Sequence, residues 1–194
     1  MTRAALWRHG VVAPSQIHEA GCERADHPDS VHSMDLSEYR HNESITIDRP
    51  AEEIYDLVAD VSKMGSWSPV CTGGEYDADN QTWFTGHNAI GEFTWSTRCE
   101  VVAAERGREF AFVNHGTDGK SKLVRWGFQF EPASTGTRVT QMWQVLPEYA
   151  DFVRSGKPAA TDADVAGAID GMKGLALTGM PETLAKLKAE AESA

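Results

Sequence analysis

The stretch Trp83–Val101, WFTGHNAIGEFTWSTRCEV, sets a histidine and a cysteine among aromatic rings and glycines. Two kinds of chemistry could use that mixture. His87 could serve as a general base, given a partner to fix its tautomer and a pocket to shift its pKa. Cys99 could serve as a nucleophile if its thiolate were stabilised. Neither has the company such chemistry needs, because no carboxylate stands at a spacing that demands pairing with His87. His87 is thus the one candidate catalytic residue, and its position before Asn88 and Gly91 favours a rim or solvent histidine. Alternation places Phe93, Trp95, Thr97, Cys99 and Val101 on one strand face, with Glu92, Thr94, Ser96, Arg98 and Glu100 on the other. A cysteine on an apolar face is ordinarily inert packing. The stretch therefore reads as a pocket wall.

Other residues add to that wall. Of six tryptophans, Trp67, Trp83, Trp95, Trp126 and Trp143 fall in patterned sequence. Core packing accounts for most of them, but a domain this rich in large rings often uses some to line a cavity. Trp67, Trp95 and Phe112 are the preferred lining residues. Trp126 and Phe128 share an aromatic parity; if that side faces inward, Arg125 is left in solvent, and the sequence leaves open which face of the last two strands that is. An inward Asn114 or Gln141 would orient a ligand oxygen. The glycines of TGG (72–74) and TGHNAIG match no phosphate-binding spacing. His18 and Cys22 are one helical turn apart, but with His9, His27, His32 and His41 they match no zinc pattern, so no metal or other cofactor is expected.

Residues near 44–48 alternate as a strand, and Pro50, Glu52 and Glu53 open a helix whose stripe is Ile54, Leu57, Val58 and Val61. A second short helix or turn ends at Pro69. Strands are predicted near 70–76, 83–88, 92–104, 109–115, 122–131 and 137–146, punctuated by Gly91, RGR, TDGK and STG. From about 161 to 191 a helical stripe runs Val165, Ile169, Met172, Ala176, Met180, Leu184, Leu187, and its phase survives Pro181, which predicts a kink and not a terminus. Residues 1–42 lack periodicity and are expected to be a disordered extension, with Met34 an alternative start; 43–192 are the folded domain. A curved antiparallel sheet gripping one long helix is an α+β helix-grip arrangement. It leaves a hollow that Ile169, Met172 and Met180 would close.

The net charge of −11 and pI near 5.0 exclude the basic face that nucleic acid or an anionic membrane would need. No apolar run approaches the roughly 20 residues of a membrane span. Three widely spaced cysteines and no signal-peptide pattern predict a reducing, cytoplasmic setting. Monomer and homodimer both stay open.

ITIDRPAEEIYDLVADVSKMGSWSP resembles the opening of the START-like, Bet v 1-like (SRPBCC) superfamily, in particular its bacterial polyketide cyclase/dehydrase branch. That branch opens with a strand and then PAxxVWxxLxDxxxxxxWxP; Pro50, Ala51, Ile54, Tyr55, Asp60, Trp67 and Pro69 stand in those places. FTGHNAIGEFTWSTRCEVVAAERGREFAF is similar to the middle strands of actinobacterial members, GTRVTQMWQV to their last strand, and MPETLAKLKAEAE to the end of their helix. The resemblance spans 43–192 and implies the helix-grip fold. It implies no single activity, since such proteins include binders, lipid carriers and aromatase/cyclases. The expected function is binding of a small hydrophobic or amphipathic molecule. The alternatives are a cyclase/dehydratase acting on a polyketide-like or aromatic substrate, and an interaction module whose interior is filled by side chains.

Overall fold

Ile45 and Ile47 alternate with polar residues, and they end the first strand, β1 (Arg40–Ile47). A computed structural model of the chain describes residues 34–193. Pro50 precedes α1 (Ala51–Ala59), whose first turn carries Glu52 and Glu53 against the positive end of the helix dipole. Ile54, Tyr55 and Val58 are its buried face. Asp60 then accepts from the Ser62 backbone N–H and starts a short 3-10 turn (Val61–Lys63), which runs into α2 (Met64–Trp67).

Six strands follow as a meander: β2 (Cys71–Tyr76), β3 (Trp83–Ile90), β4 (Phe93–Glu105), β5 (Glu109–His115), β6 (Lys122–Pro132) and β7 (Thr137–Val145). Each pairs antiparallel with the next, and β1 closes on β7, giving the order β1-β7-β6-β5-β4-β3-β2. A bulge between Val101 and Ala103 bends β4 and turns Val102 outward. At the β6–β7 turn Gly136 has φ +66°, and a Cβ there would lie 2.1 Å from the Ile47 carbonyl oxygen. Only glycine lets that turn seat against the β1–α1 connection.

After the sheet come α3 (Glu148–Gly156) and α4 (Asp162–Ser193), the latter continuous through Pro181 as its unbroken phase predicts. The C-terminal half of α4, through Leu184 and Leu187, packs with Ile47, Ile54, Phe110 and Phe130. The N-terminal half, through Val165 and Ile169, packs with Leu36, Val124 and Trp143. This is the expected helix-grip architecture. No described helix is long and apolar enough to cross a membrane.

Two expectations need correction. The boundary at residue 42 falls inside β1: Arg40 pairs with Gln144, the Tyr39 carbonyl accepts from Val145 N–H, and Leu36 is buried. The polar run YRHNES hides this, because β1 is an edge strand whose ladder needs few apolar side chains. The extension's remaining residues, 1–33, with His9, His18, Cys22, His27 and His32, lie outside the described residues. The second correction is α3, which begins just after Pro147, where no element was expected. Because Leu36 seals one end of the core, Leu36→Ala should lower stability in urea by about 2 kcal/mol. Ser37→Ala, at an exposed position, should change it by less than about 0.5 kcal/mol.

Candidate functional site

The inner face of the sheet does not meet α4 along its whole length. Between them lies a cavity of about 220 Å³. Across β3, β4 and β5 its floor is built in register: Gly86 opposite Thr97, Phe84 opposite Cys99, Cys99 opposite Asn114. Farther along, Phe112 faces Trp126, Trp126 faces Trp143, and Phe128 faces Gln141. The roof is α4, through Met172, Leu175, Ala176, Gly179, Met180 and Thr183. One end wall is the corner from Met64 to Cys71. That corner is fixed locally: Ser68 Oγ accepts from the backbone N–H of Val70 (3.2 Å) and of Cys71 (2.9 Å), and Pro69 prevents α2 from continuing.

Most of the residues singled out from sequence meet here. Trp67, Trp95, Thr97, Cys99, Phe112, Asn114, Trp126, Phe128, Gln141, Met172 and Met180 all line the cavity. Two do not. Phe93 is 43% exposed beside the β3–β4 turn, where it stacks on Trp95 at 5.4 Å. It has the right parity but sits beyond the end of the cavity. Ile169 is fully buried in the cluster with Leu36 and Trp143, nearer the helix start than the cavity.

His87 is also displaced from the site. Its neighbours Gly86 and Asn88 face the cavity, so its ring points to the outer face of the sheet. There Nδ1 lies 2.9 Å from Ser96 Oγ and Nε2 lies 2.6 Å from Glu75 Oε2. A carboxylate partner exists after all, supplied across strands by β2, but none of this trio lines the cavity.

Sequence reasoning missed Met64, Phe84, Gly86, Asn88, Val124, Leu175, Ala176, Gly179 and Thr183 as lining residues. Parity with Gly86 would have given Phe84 and Asn88, but a glycine and an asparagine blur the alternation. Nothing in the helical stripe marks Gly179 as lining. An added Cβ there would meet Pro69 Cγ at 3.4 Å, so α4 approaches the corner closely at that point.

The polar groups of the wall are mostly engaged. Asn88 Nδ2 donates to Thr97 Oγ1 (3.3 Å), and Cys99 Sγ donates to Asn114 Oδ1 (3.4 Å). Two fully covered atoms of the lining side chains, Trp67 Nε1 and Gln141 Oε1, have no hydrogen-bond partner among the described residues. No lining side chain is charged. The titratable ones are Cys71 and Cys99, and burial pushes both thiols up, Cys99 to about 12. The nearest ionisable neighbours of Gln141 and Trp143 on β1 are Glu43 and His41, which pair with each other at 2.9 Å and do not line the cavity.

A family profile described as polyketide cyclase/dehydrase and lipid transport matches residues 40–192. Among solved structures the chain is similar to the Polyketide_cyc-like protein Cgl2372 of Corynebacterium glutamicum. The two are 34% identical over 79% of this chain and 91% of that one, with a TM-score of 0.54. The fold alone is shared with the Zhui aromatase/cyclase of Streptomyces sp. R1128, at 15% identity over 79% and 93% of the two chains and a TM-score of 0.55. It is also shared with the di-domain ARO/CYC StfQ from the steffimycin biosynthetic pathway, at 13% identity, 80% and 51% coverage and a TM-score of 0.59. No curated protein matches the chain. With the profile spanning the whole sheet and nearly all of α4, the chain belongs to the polyketide cyclase/dehydrase and lipid transport family.

Proposed function

We propose that this protein binds a small, neutral, largely apolar molecule in the cavity between the sheet and α4. The observation that carries this reading is the chemistry of the wall. Aromatic rings, thioethers and small residues surround the space, and no charged side chain lines it. A carboxylate or ammonium ligand would lose its hydration there without a counter-ion, which is far costlier than desolvating a neutral molecule. A space of about 220 Å³ is also at odds with an interior filled by side chains.

Catalysis on a polyketide-like substrate is the second reading, and family membership supports it. Cyclisation or dehydration would need a base at the cavity. The wall offers two thiols that burial holds protonated, while His87 and Glu75 pair on the opposite face. Binding without chemistry is therefore the better account of this wall.

Three outcomes follow for a neutral fluorescent probe such as N-phenyl-1-naphthylamine. Trp95→Ala, which removes a ring from the wall, should weaken binding by about tenfold, or about 1.4 kcal/mol. Thr94→Ala and His87→Ala, both on the outer face, should leave affinity within about twofold. Equal effects of Trp95→Ala and Thr94→Ala would mean that the probe binds elsewhere. Affinity should also be flat between about pH 6 and 8, because thiols with raised pKa values stay neutral throughout that range. A slope tracking a histidine or carboxylate would contradict the neutral wall.

A further inference from the structure

The roof of the cavity is the stretch of α4 whose sequence supports a helix least. Its two flanks are firmly held. At the start Thr161 and Asp164 cap each other, Asp164 Oδ2 accepting from the Thr161 N–H (2.8 Å) and Thr161 Oγ1 from the Asp164 N–H (3.2 Å). Val165 and Ile169 then lie fully buried. Toward the end Leu184 and Leu187 are buried, and Lys188 Nζ donates to the Thr46 carbonyl (2.8 Å). Between these anchors, 171–181 holds Gly171, Gly174, Gly179 and Pro181. Gly171 and Gly174 are exposed, and an added Cβ at either would meet nothing within 4 Å. Packing therefore requires neither glycine, and each lowers helix stability relative to alanine. Thr178 Oγ1 turns back to the carbonyls of Gly174 (3.0 Å) and Leu175 (3.2 Å), a contact that weakens and bends helices. Pro181 has no N–H to give the Leu177 carbonyl four residues before it.

This stretch also borders the mouth of the cavity. Phe84, Cys99 and Trp143 lie buried at its back, whereas Pro69, Val70 and Asn88 are half-buried on one side and Met172, Leu175 and Gly179 on the other. Here α4 passes so close to the corner that an added Cβ at Gly179 would lie 3.4 Å from Pro69 Cγ. The corner is tied down by Ser68 through two backbone N–H groups, so the helix is the side that yields. We propose that 171–181 is the gate of the cavity: it unwinds transiently between its anchors to admit and release the ligand. Gly171 and Gly174 set how often it opens. Such local opening is governed by the stability of the segment and not by that of the whole fold.

This inference rests on the binding function proposed above, and its test separates the two. Alanine at 171 and 174 stabilises the closed helix equally in the free and the loaded protein, because neither position lines the cavity. Association and dissociation must then slow together while affinity stays put. For N-phenyl-1-naphthylamine mixed with the full chain in a stopped-flow instrument, Gly171→Ala/Gly174→Ala should lower both rates by about tenfold or more, from about fivefold per glycine. Kd should stay within about twofold. Gly167→Ala, equally exposed and open but outside the anchors, should leave both rates within about twofold. In the ligand-free wild-type chain the amides of 171–180 should exchange with deuterium at least about tenfold faster than those of 184–190. The double variant should slow the first set alone. Rates unchanged in the double variant, equal slowing by Gly167→Ala, or uniform exchange along α4 would overturn the gate and leave the binding function standing. If the probe does not bind at all, the binding function fails and the gate fails with it.

Discussion

The concave face of a seven-stranded sheet is covered by α4 together with α1 and the short α2, and the rest of this structure depends on how incompletely they do so. At each end α4 is sealed to the sheet by large side chains: Leu184 and Leu187 against Phe110 and Phe130, Val165 and Ile169 against Trp143 and Leu36. Between these seals small residues appear on both sides, Gly86, Thr97 and Cys99 on the sheet and Ala176 and Gly179 on the helix. Close packing at both ends holds the helix and sheet apart in the middle, where short side chains cannot fill the gap. The cavity is therefore a consequence of where side-chain volume is placed. At Gly86 an added Cβ would touch only the Phe84 ring (3.7 Å) and Cys99 Sγ (3.9 Å) at van der Waals distance, and still farther the Thr97 backbone. The backbone there tolerates a larger residue; the cost would fall on the space.

The same alternation that builds the wall keeps charge out of it. On the outer face, Arg98 pairs with Asp77 and lies 5.0 Å over the Trp83 ring. Glu100 bridges Lys122 (2.9 Å) and His115 (3.0 Å), and Glu75, His87 and Ser96 form a third group. These are the ionisable groups that acid–base chemistry would recruit, and the pleat turns them away from the cavity. Inside, the dry environment that suits an apolar ligand also lifts the Cys99 thiol to about 12. Affinity for neutral molecules and silence of the thiols come from one cause.

This separation of faces explains what could be read from sequence. Period-two alternation gave Trp95, Thr97 and Cys99 on β4, while Asn114 was open as an inward group; the structure shows it sharing the parity of Phe112 on β5, and all five line the cavity. It could not say where along a strand the helix stops covering it, so Phe93 was expected one step too far out. Helical phase gave Met172 and Met180 in the same way and overran at Ile169, which has the right face but the wrong height. Small residues carry no such signal. Gly86, Ala176 and Gly179 shape the cavity by what they lack, and a pattern of large apolar residues passes over them. The His87–Glu75 contact was equally hidden, since it joins residues twelve apart through cross-strand register.

The central claim is that a ligand sits between the sheet and α4, and the methionines report on it directly. Met64, Met172 and Met180 line the cavity, whereas Met142 lies beside Ala111 and Gly127 on the other face of the sheet. Methyl-labelled methionine spectra of the full chain, recorded while 2-naphthol is added, should show saturable shifts and ligand NOEs at Met64, Met172 and Met180, with Met142 unmoved. Saturable shifts confined to Met142, or no saturable shift at the three lining methyls, would contradict the account.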